Sequence, residues 1–108
     1  MASGILGQVS LASTTNTTVY AVPGSTLSVV NINILNRNPN GIANVRVAIS
    51  TQTGNNITDK DYIEYDTIIP ARGILERTAI ALDAGKNIVA YASTSTCSVN
   101  VYGLEQSV

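Results

Sequence analysis

The densest group of ionisable side chains lies in an acidic stretch near the middle of the chain. Its carboxylates belong to Asp59, Asp61, Glu64 and Asp66, and Lys60 stands among them. A calcium site needs several oxygen ligands converging from one loop, and a glycosidase needs two carboxylates about 5 to 10 Å apart across a cleft. Period-2 alternation instead puts Glu64 and Asp66 side by side on the solvent face of a strand. We therefore predict neither a metal site nor a catalytic acid pair.

Nucleophilic catalysis also lacks its usual partners in this chain. The sequence contains no histidine. Its single cysteine, Cys97, is separated from Val99 and Val101 by even numbers of positions, so the three lie on the same face of a strand. A cysteine on a core face is a structural thiol, and the serines and threonines have no histidine base to activate them. We predict that the protein is not an enzyme and that it uses no cofactor.

The tyrosines could stack on sugars, provided that they are exposed. Strand parity leaves Tyr62 as the most exposed tyrosine, and together with Asn55 and Asn56 it forms the candidate glycan-contact patch. Parity places three other tyrosines on core faces: Tyr20, Tyr65 and Tyr91.

Contacts with a partner protein are expected in the loops and near the start of the chain. Turn residues hold such loops in fixed conformations, which makes them natural contact points on a rigid scaffold. An apolar segment near the N-terminus would add to the interface. The candidate partner-contact residues are Ile5, Leu6, Arg37, Asn38, Asn40 and Arg72.

The composition indicates that strands position these residues. The 108 residues include 12 Ile, 11 Val and 12 Thr, which are β-branched and favour a pleated surface. Apolar residues alternate with polar ones in runs separated by turn signals such as Pro23-Gly24 and Asn40-Gly41. The predicted strands are residues 6–12, 17–22, 26–36, 43–51, 61–69, 74–82, 87–93 and 97–105. We expect one domain over residues 1–108, with a short N-terminal arm over about residues 1–6. Its fold class is all-β, an antiparallel β-sandwich of about eight strands, jelly-roll-like.

The charge balance excludes several kinds of partner. The formal net charge is −1, and the six basic residues are scattered along the chain, so we expect no nucleic-acid binding. Hydrophobic residues make up 44% of the chain and charged residues 12%, values that suit neither a disordered tail nor a membrane span. We therefore expect no membrane partner.

Short segments along most of the chain resemble a family of small β-sandwich structural proteins of tailed bacteriophages. The similar segments, in order, are Val19-Tyr20-Ala21-Val22-Pro23-Gly24, Asn36-Arg37, Tyr65-Asp66-Thr67-Ile68-Ile69-Pro70-Ala71, Leu82-Asp83-Ala84-Gly85, Val89-Ala90-Tyr91-Ala92-Ser93-Thr94 and Tyr102-Gly103-Leu104-Glu105. Two features depart from the family: the turn at Pro23-Gly24 is one residue tighter, and the last strand carries the small residues Cys97, Val99 and Val101.

The resemblance implies a virion structural protein, assembled in the bacterial host cytoplasm. A capsid decoration (cement) protein that stabilises the head by non-covalent contacts is the first hypothesis. Its partners would be the major capsid protein or other virion proteins, with a homo-oligomer or many copies in each particle. A tail or baseplate component and a carbohydrate-binding adhesin on the virion surface are the alternatives.

Overall fold

The computed structural model describes residues 3–108, and this part of the chain contains eight β-strands. The strands are β1 (Ser3–Ser10), β2 (Thr17–Ala21), β3 (Thr26–Asn36), β4 (Ala43–Ser50), β5 (Tyr62–Ile69), β6 (Ile74–Leu82), β7 (Asn87–Ala92) and β8 (Cys97–Ser107). Two short 3-10 turns, Gly54–Asn56 and Asp59–Asp61, lie between β4 and β5. Each predicted strand is present: residues 26–36 and 74–82 match at both ends, and the other strands differ by one to three residues.

The strands form two four-stranded antiparallel sheets packed face to face. The first sheet has the order β1-β8-β3-β6 and the second the order β2-β7-β4-β5. β1 pairs with β8, β2 with β7, β3 with β6 and β4 with β5. These four pairs are the rungs of one long antiparallel hairpin. The hairpin is rolled up so that successive pairs lie alternately in the first and the second sheet, which is the topology of a jelly roll. The prediction of an all-β antiparallel sandwich is confirmed.

The core between the sheets follows the period-2 alternation of the sequence. On β3, Val30, Ile32 and Ile34 are buried, while Asn31 and Asn33 lie on the outer face. Phenylalanine and tryptophan are absent from the sequence, so short aliphatic side chains provide most of the buried volume. Tight packing of such side chains requires each strand to keep its register.

The last strand contributes Cys97, Val99 and Val101 to the core, as predicted. Burial raises the pKa of the Cys97 thiol above its ordinary value. The thiol is therefore neutral and structural rather than reactive.

All four edge strands contain β-bulges. The edges are β1 and β6 in the first sheet and β2 and β5 in the second. Each edge strand carries at least one extra residue relative to its neighbour, for example between Ile5 and Gly7 of β1, and β5 carries two. In contrast, β3 and β8 keep one register over eleven consecutive residue pairs in the middle of the first sheet. Bulges disrupt the row of hydrogen-bonding groups along an edge, so these edges are poorly suited to pairing with strands of other molecules.

The N-terminal arm predicted over about residues 1–6 belongs to the sheet wherever it is described. Residues 3–5 pair with residues 102–104 as the beginning of β1, and residues 1 and 2 lie outside the described part of the chain. Further along β1, a Cβ added at Gly7 would come within 2.3 Å of the Val19 carbonyl oxygen on β2. Only glycine permits so close an approach between these two strands.

A buried asparagine ties together the loops at one end of the sandwich, which we call the Asn36 end. The Asn36 amide group donates to three carbonyl oxygens, those of Gly41 (3.0 Å), Ile69 (3.2 Å) and Pro70 (3.3 Å). Its Oδ1 accepts from the Asn38 backbone N–H at 3.1 Å and from the Thr96 hydroxyl at 2.9 Å. One side chain thus fixes the β3–β4, β5–β6 and β7–β8 loops relative to one another.

A second polar cluster joins the two sheets at the opposite end. The Tyr20 hydroxyl of β2 lies 2.6 Å from Ser28 Oγ of β3 and donates to Glu105 Oε2 of β8 at 2.5 Å. Burial raises the pKa of Tyr20 above its ordinary value of 10.0, and the hydrogen bond to the Glu105 carboxylate raises it further. The folded state therefore favours the neutral tyrosine hydroxyl.

Replacing Asn36 with Asp should destabilise the protein at neutral pH. The new carboxylate would face three carbonyl oxygens without a hydrogen to donate, at an expected cost of about 3 kcal/mol. Urea unfolding monitored by circular dichroism measures this loss. Asn40→Asp is the matched control, because Asn40 is exposed, and it should change the unfolding free energy by less than about 0.5 kcal/mol. Equal stability of the two variants would contradict the role assigned to Asn36.

The raised pKa of Tyr20 predicts a loss of stability in alkaline solution. The unfolded chain releases the tyrosine proton more readily, so this stabilisation is complete below about pH 10 and is lost as the pH rises through the folded-state pKa. Urea unfolding of the protein and of Tyr20→Phe, measured on both sides of pH 10, should show a smaller alkaline loss in the variant. The buried Cys97 titrates in both proteins and cancels in the difference. Parallel alkaline losses would contradict the prediction.

Candidate functional site

Arg37, a predicted partner contact, is used within its own chain. Its guanidinium donates to the carbonyl oxygens of Thr96 (3.1 Å) and Ser95 (3.2 Å) and to Ser10 Oγ (3.0 Å). Its backbone N–H also donates to the Thr96 carbonyl at 2.8 Å. The arginine therefore locks the β3–β4 loop onto the β7–β8 loop and offers few remaining donors to a partner.

The remaining loop candidates come together at the Asn36 end but differ in availability. Asn38 Oδ1 accepts from the Asn40 backbone N–H at 3.0 Å, and the Asn38 carbonyl accepts from the Arg72 N–H at 3.1 Å. The side chains of Asn40 and Arg72 are exposed and make no polar contact within residues 3–108. Of the loop residues predicted as contacts, these two present their side chains to solvent.

A band of apolar side chains crosses the outer face of the first sheet. Ile5 of β1 lies opposite Tyr102 of β8, and Leu104 of β8 lies opposite Val29 of β3. Ile5 is 63% exposed and Leu104 is 64% exposed. With Leu27, which is also exposed, these residues form what we call the apolar strip. Contiguous apolar surface of this kind marks interaction sites on soluble proteins.

Of the two N-terminal residues predicted as partner contacts, Ile5 and Leu6, only Ile5 belongs to the strip. Ile5 faces outward, as expected of a contact residue, but Leu6 packs against the core. Sequence reasoning missed Val29 and Leu104. The signal was present in the Leu27-Ser28-Val29-Val30 run, where apolar residues occupy both faces of one strand.

On the second sheet, three side chains surround a shallow depression. It has a volume of about 460 Å³ and is lined by Asp59, Tyr62 and Tyr65. We call these three residues and the depression between them the aromatic corner. The two ring centroids are 5.0 Å apart and the ring planes meet at 80°. Tyr65 is 57% exposed. Aromatic walls of this kind can hold a sugar ring or a cationic group.

The prediction that Tyr65 lies in the core is wrong, because β5 is bulged. Thr67 lies opposite Val45 and Glu64 lies opposite Val47, so β5 has one more residue than β4 in this interval. Asp66 within the bulge has φ 52°, in the left-handed region. The extra residue shifts the alternation, and Tyr65 turns outward to the same side as Tyr62.

The prediction that Tyr91 lies in the core is also wrong. Tyr91 is opposite Arg46 on the outer face of the second sheet. The Arg46 guanidinium lies 4.4 Å from the ring centroid of Tyr91 and 4.4 Å from that of Tyr65. Arg46 Nε also lies 2.6 Å from Asp66 Oδ1. This arrangement holds Tyr65 in place from beneath the aromatic corner.

Asp59 is held beside the rings by the capping of its 3-10 turn. Asp61 Oδ2 accepts from the Thr58 backbone N–H at 2.9 Å and from Ser50 Oγ at 2.9 Å. The Thr58 N–H lowers the pKa of the Asp61 carboxyl more than any other contact. Asn55 and Asn56, the other members of the predicted glycan patch, are exposed in the adjacent 3-10 turn and do not line the depression.

The acidic stretch does not form a pair of adjacent carboxylates. The Glu64 carboxylate lies 2.7 Å from Arg77 Nε on β6, whereas Asp66 pairs with Arg46 on β4. The prediction that Glu64 and Asp66 lie side by side on the solvent face is therefore wrong, because the bulge separates them. Within residues 3–108, no three Asp, Glu or Cys side chains come together as a metal-ligand set, and no helix is long and apolar enough to cross a membrane.

The solved structures with a distant likeness to this chain include two of a pentameric capsid protein isolated from metagenomic phage sequences. In both cases the sequence identity is 20% and the TM-score is 0.33. The likeness covers 94% of this chain and 66% and 61% of those chains, so this chain spans slightly less than two thirds of their length. No protein-family model and no curated protein matches the sequence.

Proposed function

We propose that this chain is a structural protein of a bacteriophage particle, and specifically a decoration (cement) protein of the head. The observation that carries the proposal is the apolar strip, because a monomeric protein gains nothing from exposing Ile5, Val29 and Leu104 on adjacent strands. The resemblance of the sequence to small phage structural proteins supports the same role. In this role the strip packs against the major capsid protein or a neighbouring virion protein.

The shape of the molecule suits contact through faces rather than through edges. Its Cα atoms span 45 × 28 × 18 Å, so the two sheets form a plate with broad faces. The edge strands are bulged and disfavour strand addition. A plate that binds through one face leaves its opposite face and its loops available for other neighbours.

Cementing a shell does not require strong individual contacts. The strip consists of a few side chains, whereas a standard stable interface has roughly 20 to 30 residues on each side. On a lattice, contacts to several subunits act together, because each bound contact raises the effective concentration of the next. Many copies with modest contacts therefore stabilise the shell collectively.

We also propose that the protein acts without catalysis. The sequence has no histidine, the Cys97 thiol is buried, and the acidic residues of β5 pair with separate arginines. The function is then one of binding alone.

A carbohydrate-binding adhesin on the virion surface is the second candidate function, favoured by the two rings of the aromatic corner. Tyr65 is the exposed one, whereas Tyr62, predicted to be the most exposed tyrosine, is partly buried. In that case Tyr62 and Tyr65 would stack on a sugar. Binding to glycans in an array, abolished by Tyr65→Ala, would support the adhesin, and the absence of any signal would count against it.

The copy number of the protein distinguishes the head from the tail or baseplate. A decoration protein should be present in stoichiometric, high copy number in purified particles, as measured by quantitative mass spectrometry against the major capsid protein. A handful of copies for each particle would instead place the protein in the tail or baseplate. Its absence from particles would contradict the whole proposal.

Leu104→Ser tests the apolar strip directly. Loss of this side chain from a buried interface should weaken binding to particles produced without the protein by about tenfold or more, as measured by co-sedimentation. Ile74→Ser is the matched control, because Ile74 is 59% exposed on β6 of the same sheet but lies outside the strip. Both variants should keep the melting temperature of the original protein. Equal binding of the two variants would exclude the strip as the contact surface.

A further inference from the structure

We infer that the aromatic corner binds a basic side chain, arginine or lysine, presented by a partner protein in the particle. The inference deepens the proposed function, on which it rests for the identity of the partner as a virion protein. Binding of the basic group itself depends only on Asp59, Tyr62 and Tyr65.

The charges around the corner leave one carboxylate without a counter-ion. Asp66 is paired with Arg46, and Asp61 accepts hydrogen bonds from its own turn and lies 3.4 Å from Lys60. Asp59 makes no hydrogen bond or ion pair within the described residues. The three aspartates and the two cations Arg46 and Lys60 give this region a net charge of −1. The carboxylate without a counter-ion, that of Asp59, lines the depression.

The ring geometry favours a cation over a sugar. Sugars stack on a flat exposed platform, whereas the Tyr62 and Tyr65 planes meet at 80° and form two walls of a corner. A cation near the ring faces gains from their negative potential, and the Asp59 carboxylate adds charge complementarity. The amide side chains of Asn55 and Asn56, which could both donate to and accept from sugar hydroxyls, lie outside the lining.

The protein already uses the same chemistry internally. The Arg46 guanidinium packs 4.4 Å from the Tyr65 centroid while it is ion-paired with Asp66. A second guanidinium or ammonium group in the corner would repeat this pattern, with Asp59 as its carboxylate. Because Arg46 is neutralised by its own partner, it does not oppose the incoming charge strongly.

The binding can be measured on the isolated protein by NMR. N-acetyl-arginine amide and N-acetyl-lysine amide are titrated against the ring signals of Tyr62 and Tyr65, with N-acetyl-citrulline amide as the neutral isostere of arginine. The cations should shift these signals saturably, and the citrulline amide should bind at least about fivefold more weakly than the arginine amide. Added salt should weaken cation binding. Equal binding of arginine and citrulline amides would overturn the inference.

Two variants of equal charge change test the role of Asp59. Asp59→Asn should weaken binding of the arginine amide about two- to fivefold, whereas Glu76→Gln, on the exposed outer face of the first sheet, should leave it unchanged. Tyr65→Leu should also weaken binding. Retained affinity in Asp59→Asn would contradict the inference.

Two further measurements, a titration with sugars and a particle-binding assay, distinguish the remaining outcomes. Shifts of the same ring signals by methyl α-glucoside or methyl β-galactoside, without shifts by the cations, would overturn the inference in favour of a sugar site. Weaker binding of Asp59→Asn than of Glu76→Gln to particles that lack the protein would support a basic partner group. Absence of the protein from particles contradicts the proposed function, whereas a failed titration contradicts only this inference.

Discussion

The burial of short, β-branched side chains between two sheets is the constraint on which the rest of this structure depends. Phenylalanine and tryptophan are absent, and Tyr20 is the one ring in the described core, so aliphatic side chains have to fill almost all of its volume. The stiff side chains of Val30, Ile32 and Ile34 fit only if β3 keeps its alternation. A shift of one residue would move all of them to the solvent face. The long uninterrupted register of β3 with β8 satisfies this constraint in the middle of the first sheet.

The edges of the sheets have more freedom, and the candidate surfaces arise there. The bulge between Ile5 and Gly7 shifts the alternation of β1, so that Ile5 faces solvent although Val9, four residues further on, packs against the core. The bulge in β5 turns Tyr65 outward and brings it beside Tyr62. The same irregularities that protect the edges from strand addition therefore expose the side chains available for contacts through the faces.

Polar clusters hold the two ends of the sandwich together. Asn36 and Arg37 fix the loops of one end through hydrogen bonds to backbone carbonyls. At the other end Tyr20 joins the second sheet to Ser28 and Glu105 of the first. A surface that is already ordered loses less conformational entropy when it binds. An ordered surface suits the proposed role, in which the protein acts by contact alone.

The residues by themselves determined the number of strands, the core faces of β3 and β8, and the burial of Cys97, because period-2 alternation is a local property of the chain. They also indicated Ile5 and Tyr62 as outward-facing residues. Only the tertiary structure decided that Tyr65 and Tyr91 face outward, that Arg37 is bound within its own chain, and that Leu104 joins Ile5 on one face. The physical reason is that bulges, edges and cross-strand neighbours come from pairing between strands far apart in sequence, which local alternation does not encode.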